Sequence, residues 1–289
     1  MLNLVLKNLH IAVLGGDMRE IIVAKELAAM GAVVWLSGFN LFQGEVSPQI
    51  YRGLPKRADI IILPLPGILA DYSIYAPYSA DKLDLFSIEH LLQPGVRLFC
   101  GKMPELTLQY LQELGVKVLL TANLEEVALH NAIPTAEGAV EIAMRESQIT
   151  IFGSNILITG FGRCAKYLAR ILAALGAKIT IAARKRTALI EASTFNYSSI
   201  NLKDIQVYAK DFNFVFNTVP SLVLTEPFLV QLNKDAIIFD LATAPGGTDF
   251  DIAEQLGIKA LLLPGLPGKV APVTAGKMLV EIYLNYLKF

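Results

Sequence analysis

The stretch that decides the fold is ILITGFGRCA, residues 156–165. An apolar run leads into a glycine-rich turn, and residues with helical periodicity follow it up to Gly176. In this GxGxxA spacing, Gly160 permits a tight turn, Gly162 lets the backbone approach a pyrophosphate, and Ala165 allows helix and strand to pack closely. The stretch predicts a dinucleotide-binding turn between a strand and a helix. The alternative is an ordinary turn of a sheet protein.

The sequence around this turn predicts a doubly wound α/β domain over residues 133–271. Continuous apolar runs are typical of parallel strands that are buried on both faces. Such runs occupy residues 155–159, 178–182, 214–217, 236–240 and 259–263. Helices are expected over 163–175, 201–209, 226–232 and 250–256, and another from Thr135, as N-cap, to about residue 146.

The first part of the chain follows the same plan. Strands are expected over 10–14, 33–36, 58–63, 96–99 and 116–120, with helices over 18–30 and 105–114. Residues 67–94 have weak periodicity and are expected to form a mobile loop with one short helix. A terminal helix over 274–287 is expected to pack back on this domain. The fold class is therefore α/β, with two Rossmann-like doubly wound domains: a substrate domain over 1–132 with 272–289, and a nucleotide domain over 133–271.

The end of the second strand of the nucleotide domain indicates which dinucleotide binds. An NAD enzyme usually places an acidic residue there, about 20 residues after the glycine turn, to bind the ribose 2′-hydroxyl. This chain has AARKR at 182–186. Arg184 and Lys185 are instead suited to a 2′-phosphate, which predicts NADP, with NAD as second choice. The alternative is a solvated charged turn.

The remaining predicted cofactor contacts come from the glycine-rich turn itself and from the ends of neighbouring strands. Open α/β sheets bind ligands at the carboxyl ends of their strands. These residues are Phe161, Arg163, Cys164, Ala183, Thr218, Val219, Pro220, Leu241 and Ala242.

The turn GGD at residues 15–17 lacks the third small residue of a dinucleotide fingerprint, so no second dinucleotide site is expected there. Arg19 follows at the start of a helix and is predicted to bind a substrate carboxylate. Asp17 either orients Arg19 or takes a proton from the substrate. The alternative for Arg19 is a helix-surface residue paired with Glu20 or Glu26.

Composition excludes several classes of function. The 289 residues are 54% hydrophobic, and 25 Lys and Arg balance 26 Asp and Glu, so no basic excess suggests nucleic-acid binding. No uncharged apolar run reaches the roughly 20 residues of a membrane-spanning helix. The two cysteines, Cys100 and Cys164, have no metal-ligand spacing, and a reducing cytoplasm is expected. No metal site is predicted.

Eight motifs distributed along the chain resemble those of the family formed by the A subunits of dipicolinate synthase. They are IAVLGGD at 11–17, IPTAEG at 133–138, GFGR at 160–163, NTVPS at 217–221, DLA at 240–242, PGGTDF at 245–250, PGLPG at 264–268 and VAPVTAG at 270–276. The segment 67–92 departs from the family pattern, so the resemblance assigns no substrate contacts there.

The resemblance implies NADP-dependent oxidation of a dihydrodipicolinate to dipicolinate, pyridine-2,6-dicarboxylate, in the mother-cell cytoplasm of a sporulating bacterium. It also implies an oligomer with the flavoprotein-like B subunit of dipicolinate synthase. Together with strand-end position, it suggests catalytic roles for Asp17, Arg19, Glu137 and Lys269, and substrate contacts from Arg19, Thr135, Thr248 and Thr274. The catalytic base is not identified.

Two other functions stay open on the sequence. One is a regulatory component that binds NADP without catalysis. The other is a two-domain 2-hydroxyacid or amino-acid dehydrogenase, which normally has a catalytic His or Lys that is not evident here.

Overall fold

The computed structural model describes residues 6–287. The chain divides into two compact units: unit 1 holds the residues up to His130 together with those from Ala271 onward, and unit 2 is Asn131–Val270. Each unit is built on a six-stranded sheet in which every neighbouring pair of strands is parallel.

The sheet of unit 1 has the strand order β3-β2-β1-β4-β5-β6. Its strands are β1 (His10–Leu14), β2 (Val33–Ser37), β3 (Ile50–Arg52), β4 (Ile60–Ile62), β5 (Arg97–Cys100) and β6 (Lys117–Leu120). The flanking helices are α1 (Met18–Ala29), α2 (Glu105–Glu113) and the first part of α3 (Glu125–Glu146), with α9 (Pro272–Leu287) at the end of the chain.

The terminal helix α9 packs on α1, as predicted. A Cβ added at Gly276 would lie 2.7 Å from Ile22 Cβ and 2.9 Å from the Arg19 carbonyl oxygen, so the helices meet almost backbone to backbone. Further along α9, the Tyr283 ring lies 4.9 Å from that of Phe99 on β5. Both Tyr283 and Phe99 are buried. The last helix thus completes the core of unit 1.

The sheet of unit 2 has the strand order β12-β11-β10-β7-β8-β9. Its strands are β7 (Asn155–Thr159), β8 (Lys178–Ala183), β9 (Ser198–Asn201), β10 (Phe214–Asn217), β11 (Ile237–Asp240) and β12 (Lys259–Leu262). Its helices are the second part of α3, α4 (Arg163–Ala174), α5 (Arg186–Thr194), α6 (Glu226–Leu229), α7 (Phe250–Gln255) and α8 (Leu266–Val270).

Both units share one connectivity. The chain runs from the first strand outward through the second and third, then returns to place the fourth beside the first. This is the order 3-2-1-4-5-6 of a doubly wound fold. The expected fold class is confirmed. In unit 2 the winding reverses between β7 and β10, and this switch point is where such sheets bind ligands.

The helix predicted to begin at Thr135 begins ten residues earlier. Helix α3 runs without a break through Pro134, and the Thr135 hydroxyl donates to the Asn131 carbonyl oxygen at 2.6 Å instead of capping a helix. The prediction rested on Thr135, a residue type that is preferred at the N-cap. In the structure Ala132 and Ala136 are both buried, so packing continues the helix through Pro134 and Thr135.

The segment expected to be a mobile loop is packed. Ile68, Ile74, Leu83 and Leu85 are buried in the core of unit 1, and residues Phe86–Leu91 form a 3-10 helix. The sequence pattern also failed to reveal β3, β9 and α5, since the two strands are short and partly exposed. No helix within residues 6–287 is long and apolar enough to cross a membrane.

Candidate functional site

The glycine-rich turn after β7 leaves the start of α4 open. Gly160 has a φ of +86°, and a Cβ there would lie 2.6 Å from Thr218 Oγ1, so a side chain is disfavoured. Gly162 is the N-cap of α4 and, as a glycine, has no side chain with which to cap it; apart from its chain neighbours and its own helix, no atom of residues 6–287 lies within 4 Å of where a Cβ would stand. Backbone N–H groups and the positive end of the helix dipole face this space. The turn fits the pyrophosphate of a dinucleotide.

The corresponding turn of unit 1 is closed. Gly15 and Gly16 also have positive φ angles, but the Gly16 amide donates to the Tyr75 carbonyl oxygen at 2.7 Å. Asp17 caps α1 by accepting from the Arg19 amide at 3.0 Å, and the Asp17 amide donates to Glu20 Oε2 at 2.8 Å. Because protein groups already bind these amides, the turn does not offer them to a phosphate.

A row of buried polar residues crosses the switch point of unit 2. Thr159, Asn217 and Asp240 are the last residues of β7, β10 and β11, lie side by side in register, and are fully buried. Thr159 Oγ1 donates to Asn217 Oδ1 at 2.6 Å, and Asn217 Nδ2 donates to Asp240 Oδ1 at 2.8 Å. With Thr248, which also binds Asp240, these residues form what we call the strand-end network.

Asp240 is the centre of the strand-end network. Besides Asn217, its Oδ1 accepts from the Ala242 amide at 3.1 Å, while Oδ2 accepts from the Gly247 amide at 2.8 Å and from Thr248 Oγ1 at 2.7 Å. Four donors therefore surround one buried carboxylate. They draw the loop at 241–249 tightly over the end of the sheet.

Thr248, predicted to contact substrate, is 5% exposed, and its hydroxyl donates to Asp240. The structure therefore gives Thr248 the role of holding the loop. The PGGTDF motif has a similar explanation. A Cβ at Gly247 would lie 2.5 Å from the carbonyl oxygens of Val219 and Ser221, so the loops after β10 and β11 touch there.

The predicted cofactor residues after β10 and β11 lie at this same edge. Thr218 Oγ1 donates to the Thr159 carbonyl oxygen at 2.7 Å, and the Val219 amide donates to Asn217 Oδ1 at 3.0 Å. The Leu241 amide donates to the Asn217 carbonyl oxygen at 2.8 Å, and Pro220 is exposed. The strand-end network thus fixes the backbone of these loops beside the open turn of α4.

A cavity of about 480 Å³ lies at the carboxyl ends of β8 and β9, and Arg184 lines it. Lys185, the second predicted phosphate ligand, is the exposed N-cap of α5 and is not among the residues that line the cavity. Ala183, just before Arg184, is buried as the last residue of β8.

The remaining residues of the fingerprint turn differ in exposure. Arg163 is exposed, whereas Phe161 is 8% exposed and its ring lies 6.4 Å from those of Phe195 and Tyr197. Burial raises the pKa of the Cys164 thiol to about 12, so it stays protonated at neutral pH. Within residues 6–287, no group of three His, Cys, Asp or Glu side chains is placed to hold a metal ion.

In unit 1, Asp17 holds Arg19 in one orientation. Arg19 Nε donates to Asp17 Oδ1 at 2.9 Å and Nη2 donates to Oδ2 at 2.8 Å, while the Arg19 side chain is 5% exposed. Arg19 is thus neither a surface residue nor bonded to Glu20 or Glu26. The geometry favours the orienting role for Asp17 over the proton-accepting one.

Glu20 is buried beside this ion pair, between α1 and α9. Burial raises its pKa to about 7, against the opposing effect of Arg19. Its Oε1 has no hydrogen-bond partner among the described residues. Tyr283 of α9 is also buried nearby, and burial raises the pKa of its phenol.

The other predicted substrate residues are divided between the units. Thr135 and Glu137 lie on α3 in unit 2, where a Cβ at Gly138 would be 3.0 Å from the Val270 methyl groups. This contact brings α3 against α8, which carries the exposed Lys269. Thr274 is exposed in the first turn of α9, in unit 1.

Sequence reasoning missed Thr159 as a site residue, and it placed Asn217 and Asp240 in candidate strand-end segments without giving either a role. A signal was present, because each is the polar last residue of an otherwise apolar strand: ILIT, FVFN and IIFD. Such endings in strands that pair side by side point to a shared polar network at the ligand-binding edge.

The fold and these turns define a class: a protein of two doubly wound units, the second of which has an open dinucleotide-type turn. Comparison with known proteins narrows the class. The family model for the N-terminal domain of the dipicolinate synthase A subunit matches residues 10–122. The A subunit of dipicolinate synthase from Bacillus subtilis (strain 168) is 33% identical over 290 residues, covering 98% of this chain and 97% of the relative.

Two solved structures agree with this comparison. The crystal structure of the dipicolinate synthase A subunit from Bacillus halodurans matches with a TM-score of 0.89 and 30% identity, over 98% of this chain and 99% of that one. The crystal structure of the same protein from Bacillus subtilis matches with a TM-score of 0.85 and 31% identity, over 98% and 97%. The chain belongs to the family of dipicolinate synthase A subunits.

Proposed function

We propose that the chain binds NADP at the turn between β7 and α4 and oxidises a dihydrodipicolinate to dipicolinate. The observation that supports this most is the contrast between the two turns. The start of α4 has no side-chain cap and open space at Gly162, whereas Asp17 and the Tyr75 carbonyl close the turn of unit 1. Membership of the family of dipicolinate synthase A subunits supports the proposed substrate class.

The reaction removes a hydride and a proton from a cyclic dihydro-dicarboxylate and leaves an aromatic pyridine. Bound NADP⁺ supplies the hydride acceptor. Because aromatisation is itself favourable, the chain mainly has to hold the ring in position and let one base accept the proton. The strand-end network serves the first task by fixing the loops at 217–221 and 240–249 at the edge where the cofactor is proposed to bind.

The substrate is a dianion, so cations and hydrogen-bond donors must face it. We assign one carboxylate to Arg19, which Asp17 orients through two hydrogen bonds. Glu137 and Lys269 remain proposed catalytic residues, and Thr135, Thr248 and Thr274 proposed substrate contacts. Thr135 donates its hydroxyl hydrogen to the Asn131 carbonyl oxygen of its own helix, so a contact with a substrate carboxylate requires the hydroxyl to turn and donate to the substrate instead.

The relatives are named as one component of dipicolinate synthase, the A subunit, which implies a further component. On that basis we propose that this chain forms an oligomer with the flavoprotein-like B subunit of the synthase. We propose the mother-cell cytoplasm of a sporulating bacterium as the location.

The deciding experiment follows reduced nicotinamide and dipicolinate by absorbance. The purified chain, with and without the flavoprotein-like component, receives the aldolase product of lysine biosynthesis and either NADP or NAD. Formation of both products by the chain alone is expected. Formation only with the second component, while the chain still binds NADP, favours the regulatory role. Turnover of 2-hydroxyacids or amino acids instead indicates the dehydrogenase alternative.

Gly162→Val provides the control for the binding site. Gly162 has an ordinary φ of −85° and open space around it, so the variant is expected to fold. Its side chain fills the space proposed for the pyrophosphate, and NADP is expected to lose its effect on the melting temperature. A wild-type thermal shift would place the dinucleotide elsewhere.

A further inference from the structure

The cavity at the ends of β8 and β9 is lined by both apolar and cationic residues. The apolar lining residues include Leu202, Leu222, Val223 and Phe228. The charged residues that line it are Arg184 and Lys203, and none of the described lining residues is Asp or Glu. A volume of about 480 Å³ suits a nucleoside with one phosphate.

Lys203 is held at the cavity by a fixed backbone. Asn201, the last residue of β9, accepts the Lys203 amide through its Oδ1 at 3.1 Å and so caps the 3-10 helix Leu202–Val207. Leu202 and Ile205 of that helix are buried and anchor it. The side chain of Lys203 is exposed, and neither it nor Arg184 forms an ion pair within residues 6–287.

Lys185 occupies a different place, although it adjoins Arg184 in sequence. As the residue before α5 it has extended backbone, with φ −81° and ψ 124°, and successive side chains of an extended segment point to opposite sides. This accounts for its absence from the cavity lining when Arg184 is present. Adjacency in sequence therefore does not identify the second cation.

We infer that Lys203 and Arg184 together bind the 2′-phosphate of NADP, with Lys203 as the residue that sets the preference for NADP over NAD. The inference rests on the proposed function, because it places the adenosine end of the same dinucleotide in this cavity. The adenine ring packs on the apolar residues that line the cavity. Arg184 binds the phosphate through its planar fork of donors and Lys203 as a point charge, which together balance the nearly two negative charges of a phosphate monoester.

The test compares Lys203→Ala with Lys185→Ala, which removes the same charge from the residue that follows Arg184 in sequence. Binding of NADP, NAD and the fragments 2′-AMP and 5′-AMP is measured by calorimetry. Losing one charge-assisted bond is expected to weaken NADP and 2′-AMP about 10- to 100-fold in Lys203→Ala. NAD and 5′-AMP should bind as they do to wild type, and Lys203→Arg should restore most NADP affinity. Lys185→Ala should leave all four ligands nearly unchanged.

Four outcomes count against the inference. If Lys203→Ala and Lys185→Ala weaken NADP binding equally, Lys203 acts only as one of several surface charges and not as a specific phosphate ligand. If Lys203→Ala weakens the binding of NADP and NAD equally, Lys203 maintains the shape of the cavity and does not bind the phosphate. If the wild-type protein binds NAD and NADP equally, the 2′-phosphate has no dedicated site, but the proposed cofactor site stands. If the wild-type protein binds neither dinucleotide, the proposed function is overturned as well.

Discussion

Asn217 and Asp240 end two adjacent strands, and Asn217 Nδ2 donates to Asp240 Oδ1 at 2.8 Å in a fully buried position. Asn217 also binds the amide and the carbonyl oxygen of Val219, while Asp240 binds the amides of Ala242 and Gly247. One side-chain pair thus fixes the exits of both strands. The shape of the edge where the cofactor is proposed to bind depends on it.

Asp240→Asn is expected to destabilise unit 2. The amide replaces an acceptor oxygen by a donor, which then faces buried groups that are donors themselves, at a cost of about 3 kcal/mol. Thr248→Val loses one of the four bonds to the Asp240 carboxylate and should cost about 1.5 to 3 kcal/mol. Urea unfolding followed by circular dichroism measures both. Equal stability of Asp240→Asn and wild type would show that the network contributes little.

Arg19→Ala is expected to raise KM for the dihydrodipicolinate roughly 10- to 100-fold, because a bidentate partner of a carboxylate is lost. NADP affinity should not change, since the proposed cofactor residues belong to unit 2. Steady-state kinetics and NADP titration measure the two quantities. Wild-type KM in this variant would remove Arg19 from the substrate site.

Asp17→Asn separates the two roles of Asp17. Asn is as good an N-cap as Asp, so α1 should stay folded, but the neutral amide holds Arg19 less firmly. The orienting role predicts that KM rises while kcat changes little. A fall mainly in kcat would instead identify Asp17 as the proton acceptor.

Glu20 is expected to make stability depend on pH. Its pKa is about 7 in the folded chain, against an ordinary value of 4.5, because burial disfavours the charged form. The folded state then binds a proton that the unfolded state has released, so the contribution is complete below the unfolded value and is lost as pH rises through about 7. The neighbouring charged and titratable groups are Arg19, Asp17 and Tyr283.

Glu20→Gln tests this dependence. Gln keeps an acceptor for the Asp17 amide but has no charge. Melting temperatures measured from about pH 5 to about pH 8 should fall with pH in wild type and fall less in the variant. Parallel curves for the two proteins would assign the pH dependence to other groups.

Gly276→Ala is expected to destabilise unit 1, although alanine is by about 1 kcal/mol the better helix former. The new methyl group would meet Ile22 Cβ at 2.7 Å and a backbone oxygen of α1 at 2.9 Å, and overpacking of this kind costs about 1 to 3 kcal/mol. Gly138→Ala is the control in the part of α3 that belongs to unit 2, since its Cβ meets side-chain atoms only, the Val270 methyl groups at 3.0 Å and Leu266 Cβ at 3.5 Å; circular dichroism follows its unfolding. Trp35, the single tryptophan, lies in unit 1 and reports its unfolding.

The sequence was sufficient for the fold class because the decisive signals are local. Continuous apolar runs and the spacing of Gly160, Gly162 and Ala165 gave both the parallel sheets and the dinucleotide-type turn. The predicted start of α3 was wrong because the N-cap signal at Thr135 is local, whereas the packing that overrides it is not. The closed turn of unit 1 was likewise invisible, since its amide is bound by the carbonyl of Tyr75, 59 residues away in the chain.

The candidate site could be predicted from the sequence only where a single continuous segment of the chain forms it. Arg184 lies at a strand end that the fingerprint locates, and the structure places it at a cavity. Lys203 and Asp240 meet their neighbours only once separate strands have paired. Thr248 was predicted to contact substrate from its strand-end position and the family resemblance, and its hydrogen bond to Asp240 forms only once the loop folds over the end of the sheet.

The packing of α9 on α1 has a consequence for synthesis of the chain on the ribosome. Leu279, Val280, Ile282, Tyr283 and Leu284 belong to the core of unit 1, yet they are translated after all of unit 2. Unit 2 is therefore the first to emerge with its whole core, although it comes second in the sequence, while the nascent unit 1 leaves the apolar face of α1 uncovered until translation ends. A ribosome that stops near residue 270 releases a chain with one finished unit and one that exposes hydrophobic surface to chaperones and proteases.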